Sequence, residues 1–291
     1  MSKLKIKKWD PTTLRPDAVI LLLGKRGTGK STLMRDLMYH VKDKLDFGIA
    51  MSPTEESSES LGTFLPSSWI YNDFNQGAVE KMMALQRQHW KRGHGSNVFL
   101  LLDDCMYDRG IFRGDTGKLF RQLFMNGRHR RIFFLNCQQY AMDMPPDLRS
   151  QVDVVFQLRD NILSSRKKTW EQFFGFFDTF QQFSKTLDAT TENYECLVYD
   201  SKASKSNKID ESVFWYKANP ELPEFQVGRQ IFWDLHQQYY CDKEEENELD
   251  LLMDKTKQDA RANKNTRVVK ASSDGHTVVA PKSVAWQENY D

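Results

Sequence analysis

From residue 18 the chain reads Ala18-Val19-Ile20-Leu21-Leu22-Leu23, followed by Gly24-Lys25-Arg26-Gly27-Thr28-Gly29-Lys30-Ser31-Thr32. The second part fits G-x-x-x-x-G-K-[ST], the pattern of a phosphate-binding loop (P-loop) between a buried strand and a helix. Glycines let such a loop turn tightly, so that its N–H groups and the start of the helix face the phosphates of a nucleotide. We expect Lys30 to reach the β- and γ-phosphates and Ser31 to ligate Mg²⁺. Residues 24–32 are therefore predicted to bind a nucleotide.

Composition predicts a folded chain without an obvious bias toward polyanions. The 291 residues are 40% hydrophobic and 12% aromatic, which is enough for the core of one large or two small domains. The net charge is only +1, so a nucleic-acid site must come from local clustering. Up to Lys44 there are eleven Lys and Arg against four Asp. This basic start is either a solvated face beside a phosphate site or a DNA-facing patch.

Cysteine spacing and hydropathy indicate the kind of compartment. The four cysteines are scattered and form no C-x-x-C pair, so we expect neither a zinc site nor a disulfide framework. The apolar runs at 18–23 and 98–102 are too short to span a bilayer, and no signal-peptide pattern follows the lysine-rich start. We expect a soluble protein without a transmembrane segment that is not secreted.

A second apolar run ends in two carboxylates. Val98-Phe99-Leu100-Leu101-Leu102 is followed by Asp103 and Asp104, about 70 residues after the P-loop. This is the pattern of a Walker B strand, a buried parallel strand that ends beside the P-loop and holds Mg²⁺. Asp103 is the predicted Mg²⁺ ligand, directly or through water, and Asp104 the carboxylate that orients or deprotonates the attacking water. Alternatively, Asp104 caps the following turn.

A third apolar run, Ile132–Cys137, ends in Gln138 and Gln139. An amide at the carboxyl end of a strand next to the Walker B strand can sense the γ-phosphate or the lytic water, because ligands of open α/β sheets bind at that edge. Gln138 holds the expected position, although Gln139 could serve.

The other segments are assigned from periodicity and composition. Residues 55–60 are predicted to be a surface loop and residues 170–183 one helix with an aromatic stripe, which packs in the core or, less commonly, stacks bases. Two strands are expected at 195–199 and 212–216, and a last helix at 226–240. From Asp242 to Asp259, eight acidic residues stand against three lysines. We therefore divide the chain into a P-loop domain, 1–240, and a charged, mobile tail, 241–291, with a helical stretch around 249–253.

This order of motifs resembles the FtsK–HerA superfamily of DNA-pumping ATPases and, more closely, the genome-packaging ATPases of large nucleocytoplasmic DNA viruses. The resemblance is carried by residues 24–32, 100–104 and 134–138, by Pro145-Pro146-Asp147-Leu148-Arg149-Ser150 and Asp153-Val154-Val155-Phe156, and by the strands at 194–199 and 213–216. It covers residues 18–240. It implies an α/β P-loop NTPase fold, RecA/FtsK-like, with a mostly parallel central sheet and helices on both faces.

The same resemblance implies a function and partners. The motor would be a homo-oligomeric ring that uses ATP and Mg²⁺ to thread double-stranded DNA into a preformed capsid at assembly sites in the host cytoplasm. Capsid or membrane-associated virion proteins would be further partners. An arginine of the neighbouring subunit would complete each ATP site, and we expect it to flank the ligand edge of the sheet. Arg149 is the first choice, ahead of Arg128 and Arg131; the alternative is that all three pair with surface carboxylates or contact DNA.

Two other functions remain open. A small-molecule P-loop kinase would need an arginine-rich lid, which does not stand out, and the second acid favours water as the nucleophile. A nucleotide-regulated scaffold that hydrolyses ATP slowly or not at all is disfavoured by the paired acids.

Overall fold

The structure of the chain is a computed structural model. It describes residues 4–93, 95–105, 109–139, 144–203 and 208–240, together with the short strands at 270–271 and 277–278. For residues 109–110, 270–271 and 277–278 it describes only the backbone. Met1–Tyr240 and Cys241–Asp291 form two compact units. In the second unit, strands Lys270–Ala271 and Thr277–Val278 pair antiparallel. The helical stretch predicted around 249–253 lies outside the described residues.

The first unit is built on one nine-stranded sheet. Its strands are β1 (Lys7–Lys8), β2 (Val19–Leu23), β3 (Phe47–Met51), β4 (Ile70–Tyr71), β5 (Val98–Asp103), β6 (Ile132–Gln138), β7 (Val154–Gln157), β8 (Glu195–Asp200) and β9 (Val213–Lys217). They lie in the order β1-β9-β8-β7-β2-β6-β5-β3-β4. Among these strands β8 alone runs opposite to its neighbours. The predicted mostly parallel sheet is confirmed.

Helices cover both faces of the sheet. They are α1 (Lys30–Val41), α2 (Glu55–Gly62), α3 (Gln76–Lys91), α4 (Gly114–Asn126), α5 (Pro146–Arg149), α6 (Leu163–Phe173), α7 (Phe180–Thr190), α8 (Ile209–Ser212) and α9 (Gln230–Tyr239). Ile20 and Leu22 pack in one core cluster with Leu33 of α1, whereas Leu21 packs in the other with Phe120 of α4. Because both faces of β2 are covered, its sequence is continuously apolar. No helix in the described part of the chain is long and apolar enough to cross a membrane.

The prediction of a loop at residues 55–60 is wrong, because these residues begin α2. Its only buried residue is Leu61, so the segment carries almost no apolar periodicity from which a helix could be predicted. Glu55 and Glu56 lie in the first turn, where negative side chains favour a helix through its dipole. Helix α2 places Ser57 within hydrogen-bond distance of Asp103.

The single helix predicted at 170–183 is in fact two helices, α6 and α7. Helix α7 begins after Thr179, whose hydroxyl accepts a hydrogen bond from the N–H of Gln182. Phe174 and Phe177 lie in the connection between the helices and are buried there with Phe183. These three aromatic side chains contact one another although they do not lie on one helix. Their spacing in the sequence nevertheless resembles that of a helix face. Their burial favours the core-packing interpretation over base stacking.

Other expected elements are present with shifted ends. The two late strands pair antiparallel as β8 and β9, with Tyr199 opposite Val213. The basic first segment contributes only the short edge strand β1, whose two lysines are exposed. The last helix, α9, begins at Gln230 and not at Gln226.

Candidate nucleotide-binding site

Three neighbouring strands end together at one edge of the sheet. In the parallel register Leu23 lies opposite Gln138 and Asp103 lies opposite Cys137. We call the ends of β2, β6, β5 and β7 the carboxyl edge, and their beginnings the amino edge. The P-loop, the two acids and the two glutamines all lie at the carboxyl edge, where open α/β sheets bind ligands.

The P-loop turns sharply between β2 and α1. Gly27 and Gly29 have φ angles of 77° and 97°, which side chains of L-residues rarely adopt. At Gly24 a Cβ atom would lie 2.7 Å from the Thr28 hydroxyl and 2.8 Å from Leu158. Gly29 precedes the first turn of α1 without a side chain to cap it, and Ser31 and Thr32 are exposed there. The first N–H groups of the helix can therefore bind an anion.

Lys30 is held across the P-loop. Its side chain is 8% exposed, and Nζ donates to the carbonyl oxygen of Gly24 at 2.8 Å. The same Nζ lies 3.6 Å from Oδ2 of Asp104. The structure thus brings the predicted phosphate-binding cation and the predicted catalytic carboxylate together.

Asp103, the last residue of β5, and Asp104, the residue after it, have different environments. Asp103 is 4% exposed. Burial raises its pKa, and the charge of Asp104 adds to this, against a hydrogen bond from Ser57 and the charge of Lys30. Asp104 has a φ of 51°, and its Oδ1 is buried without a hydrogen-bond partner among the described residues. An acceptor left open beside a cation is suited to a water molecule or a ligand.

The alternative role of Asp104, capping the next turn, involves residues 106–108, which lie outside the described part of the chain. Within the described part, its carboxylate contacts Lys30 and Gln139.

The two glutamines have different positions. Gln138 ends β6 and is 4% exposed, and its carbonyl oxygen accepts the N–H of Gly24. Gln139 is exposed, and its Nε2 donates to Oδ2 of Asp104 at 3.1 Å. Gln139 thus contacts the candidate catalytic carboxylate.

Three residues near the P-loop were not predicted from the sequence. Ser57 was hidden in the supposed loop. Asp160 pairs with Lys25 of the P-loop at 2.9 Å. Burial alone would raise the pKa of Asp160, but hydrogen bonds from Ser165 and Ile162 and the charge of Lys25 bring it below its usual value. The sequence signal for Asp160 was its position just after a buried strand.

Tyr194 lies beside Gly29, and no sequence signal indicated this position. It depends on the direction of β8, which runs antiparallel to β7.

The expectation that the candidate arginines flank the carboxyl edge is wrong within this chain. Arg128 and Arg131 directly precede β6 and therefore lie at the amino edge. There Arg128 pairs with Asp153, and Arg131 donates to the carbonyl oxygen of Gly95 and lies over the ring of Trp90. Arg149 ends α5, which also comes before its strand, β7. None of the three is brought to the P-loop of its own chain, so a role of Arg149 across a subunit boundary stays a prediction.

A Mg²⁺ ion at this site would share its ligands with a bound nucleotide. No group of three or more His, Cys, Asp or Glu in the described part of the chain could bind a metal ion by itself. Mg²⁺ bound to nucleotides needs fewer protein ligands, since phosphates and waters supply the rest. Ser31 and Asp103 supply hard oxygen donors of the right kind.

The sheet order and the P-loop after β2 define a P-loop ATPase fold. Among the solved structures that share it are the genome packaging NTPase B204 from Sulfolobus turreted icosahedral virus 2 in complex with AMP, and EssC (ATPases 2 and 3) from Geobacillus thermodenitrificans. B204 has a TM-score of 0.52 at 17% identity, with 71% of this chain and 100% of B204 covered. EssC has a TM-score of 0.51 at 14% identity, with 76% and 43% covered.

Relatives by sequence come from large DNA viruses. The uncharacterized protein 088R of Invertebrate iridescent virus 3 is 33% identical, with 77% of this chain and 90% of 088R covered. The uncharacterized protein L437 of Acanthamoeba polyphaga mimivirus is 29% identical, with 82% and 85% covered. No family model matches the chain. The chain belongs to the family of large nucleocytoplasmic DNA virus proteins that includes 088R, and it shares its fold with the genome packaging NTPase B204.

Proposed function

We propose that this chain is an ATP-hydrolysing motor that translocates double-stranded DNA and packages a viral genome into a preformed capsid. The observation that carries the enzymatic part is the convergence of Lys30, Asp104 and Gln139 at the end of the P-loop strand. A role in genome packaging is supported by the family relationship to proteins of large DNA viruses and by the fold shared with a genome packaging NTPase.

Each residue has a distinct role in the proposed reaction. Residues 24–32 bind the phosphates, and Lys30 neutralises the charge that builds up on the γ-phosphoryl group. Gln139 holds Oδ2 of Asp104, which leaves Oδ1 free to orient the attacking water and accept its proton. Water then attacks the γ-phosphorus, and ADP departs. Gln138 keeps its predicted role as a sensor through its place on β6, beside the P-loop.

Mg²⁺ would be held by Ser31 and Asp103 and would neutralise charge on the phosphate oxygens. The hydrogen bond from Ser57 orients Asp103 for this purpose.

The DNA-directed part of the proposal needs more than one chain. We propose a homo-oligomeric ring at assembly sites in the host cytoplasm, in which residues 1–240 are the motor domain and 241–291 a charged tail. Capsid or membrane-associated virion proteins would anchor the ring. Arg149 of each subunit would act on the ATP of its neighbour.

The test is phosphate release with Mg-ATP, measured with and without long duplex DNA. Strong stimulation by DNA is expected. Phosphate transfer to a metabolite would favour a kinase, and no turnover under either condition a scaffold. Particle size with a non-hydrolysable ATP analogue and DNA would test the ring separately.

A further inference from the structure

A tyrosine lies against the P-loop without any role so far. Because β8 runs antiparallel to β7, the residues before β8 lie at the carboxyl edge. Tyr194 immediately precedes β8, and its Cδ1 atom would be 3.4 Å from a Cβ atom placed on Gly29. Its side chain is 71% exposed. A large aromatic ring therefore lies exposed to solvent next to Gly29, the residue that precedes α1.

The backbone at this position is unfavourable for a tyrosine. The N–H of Glu195 donates to the carbonyl oxygen of Glu192, which closes a turn around Asn193 and Tyr194. Both central residues have positive φ, 51° and 65°. Turns of this kind favour Asn at the first central position and Gly at the second, so Tyr194 occupies a position where glycine would fit best. The side chain strains the turn and, being exposed, contributes little to the core, which points to a role in binding.

We propose that the ring of Tyr194 is the surface on which the base of the bound nucleoside triphosphate stacks. This inference rests on the proposed function, since it needs a nucleotide whose phosphates lie on residues 24–32. A base is flat and stacks on aromatic side chains whatever its identity, so the contact recognises that a base is present and not which base it is.

The segment that follows β7 adds apolar surface at the same edge of the sheet. Ile162 and Leu163 are 51% and 67% exposed in the segment that follows β7 at the same edge. This segment is fixed to the P-loop through the ion pair of Asp160 with Lys25. The P-loop binds charge, whereas Tyr194, Ile162 and Leu163 offer apolar surface close to it.

The experiment measures equilibrium binding of Mg-ATP and of Mg-tripolyphosphate, which has the phosphates but no base, to the full-length chain. Tyr194→Gly is expected to weaken ATP binding about tenfold, the range found when a stacking aromatic is removed, and to leave tripolyphosphate binding unchanged. Tyr194→Phe should bind ATP like the wild type. Tyr239→Ala is the matched control, because that tyrosine is equally exposed, at 73%, on α9, a helix that is not part of the P-loop site.

Folding is checked in the same proteins. The melting temperature of ligand-free Tyr194→Gly should be equal to or above that of the wild type, because glycine relieves the turn. An equal loss of affinity for ATP and tripolyphosphate would mean that Tyr194 only shapes the P-loop, and unchanged ATP affinity would also overturn the proposal. Failure of the proposed function looks different: the wild type would bind neither ligand, or Lys30→Ala would bind both as the wild type does.

Discussion

Charged residues are concentrated at both edges of the sheet, but they are more completely paired at the amino edge than at the carboxyl edge. At the amino edge the buried carboxylate of Asp153 accepts hydrogen bonds from Arg128, from Arg15 and from the N–H of Val19. At the carboxyl edge, Lys30 lies near Asp104, yet one buried oxygen of Asp104 has no partner among the described residues. Charges that satisfy one another stabilise a fold, whereas an open acceptor beside a cation is poised for a ligand.

The two edges also differ in backbone geometry, because more residues have positive φ at the carboxyl edge than at the amino edge. Left-handed conformations occur at the carboxyl edge in Gly27, Gly29, Asp104 and Tyr194. At the amino edge, Arg131 has positive φ where a short helical turn leads into β6. Strain at a ligand edge is typical of functional sites. The comparison predicts that substitutions at the carboxyl edge change activity and that those at the amino edge change stability.

The largest effect is expected for Lys30→Ala. Removing this cation should abolish ATP turnover, because the γ-phosphoryl charge of the transition state loses its nearest compensation within the P-loop. Weak nucleotide binding can survive. Steady-state phosphate release measures the loss, and Lys118→Ala is the control, since that lysine is exposed on α4 and pairs with Asp115. Turnover near the wild-type rate in Lys30→Ala would contradict the P-loop assignment.

The next effect separates the two acids. Asp104→Asn should bind Mg-ATP but hydrolyse it about a hundredfold more slowly, the range expected when a general base is lost. Asp103→Asn should instead weaken Mg²⁺ binding, which is measured as the Mg²⁺ concentration that gives half-maximal turnover. If Asp104→Asn is fully active and Asp103→Asn keeps its Mg²⁺ affinity, the two roles are misassigned.

The amino edge should respond in the opposite way. Asp153→Asn keeps an acceptor for the N–H of Val19 but removes the charge that Arg128 and Arg15 share. A loss of about 2 kcal/mol in the free energy of unfolding is expected, as for other hydrogen bonds to a charged group. Urea denaturation measures it. ATP turnover per folded molecule should be unchanged, and a large fall in turnover without a loss of stability would break the contrast between the edges.

Much of the carboxyl edge could be predicted from sequence because each part is local. A P-loop, an acid after an apolar run and an amide after another apolar run need only the rule that parallel strands end at one edge. Ser57 was missed because α2 buries little more than Leu61 and lacks apolar periodicity. Tyr194 was missed because its place follows from the direction of β8 in the sheet, which no local pattern encodes.

The arginines were placed at the wrong edge for a related reason. The three arginines were chosen because they are close in sequence to the strand that ends in Gln138. Residues that precede a strand lie at its amino end, however, and all three arginines precede a strand. Arg128 then has a structural explanation in its pair with Asp153. Arg149 is half-buried at the end of α5 and makes no ion pair within the described part of the chain that would account for it.

The smallest expected signal tests whether a neighbouring subunit supplies Arg149. Arg149→Ala and Lys30→Ala should each be nearly inactive alone. In a randomly mixed ring about a quarter of the interfaces combine an intact P-loop with an intact arginine from the neighbour, so part of the ATPase activity should return. A guanidinium suits this role because it stays charged and makes two hydrogen bonds to phosphate oxygens. Arg128→Ala in place of Arg149→Ala is the control, and it should lose stability without such complementation. If Arg149→Ala is fully active alone, Arg149 is not part of the ATP site. If Arg149→Ala is inactive and mixing with Lys30→Ala restores no activity, Arg149 acts only within its own chain.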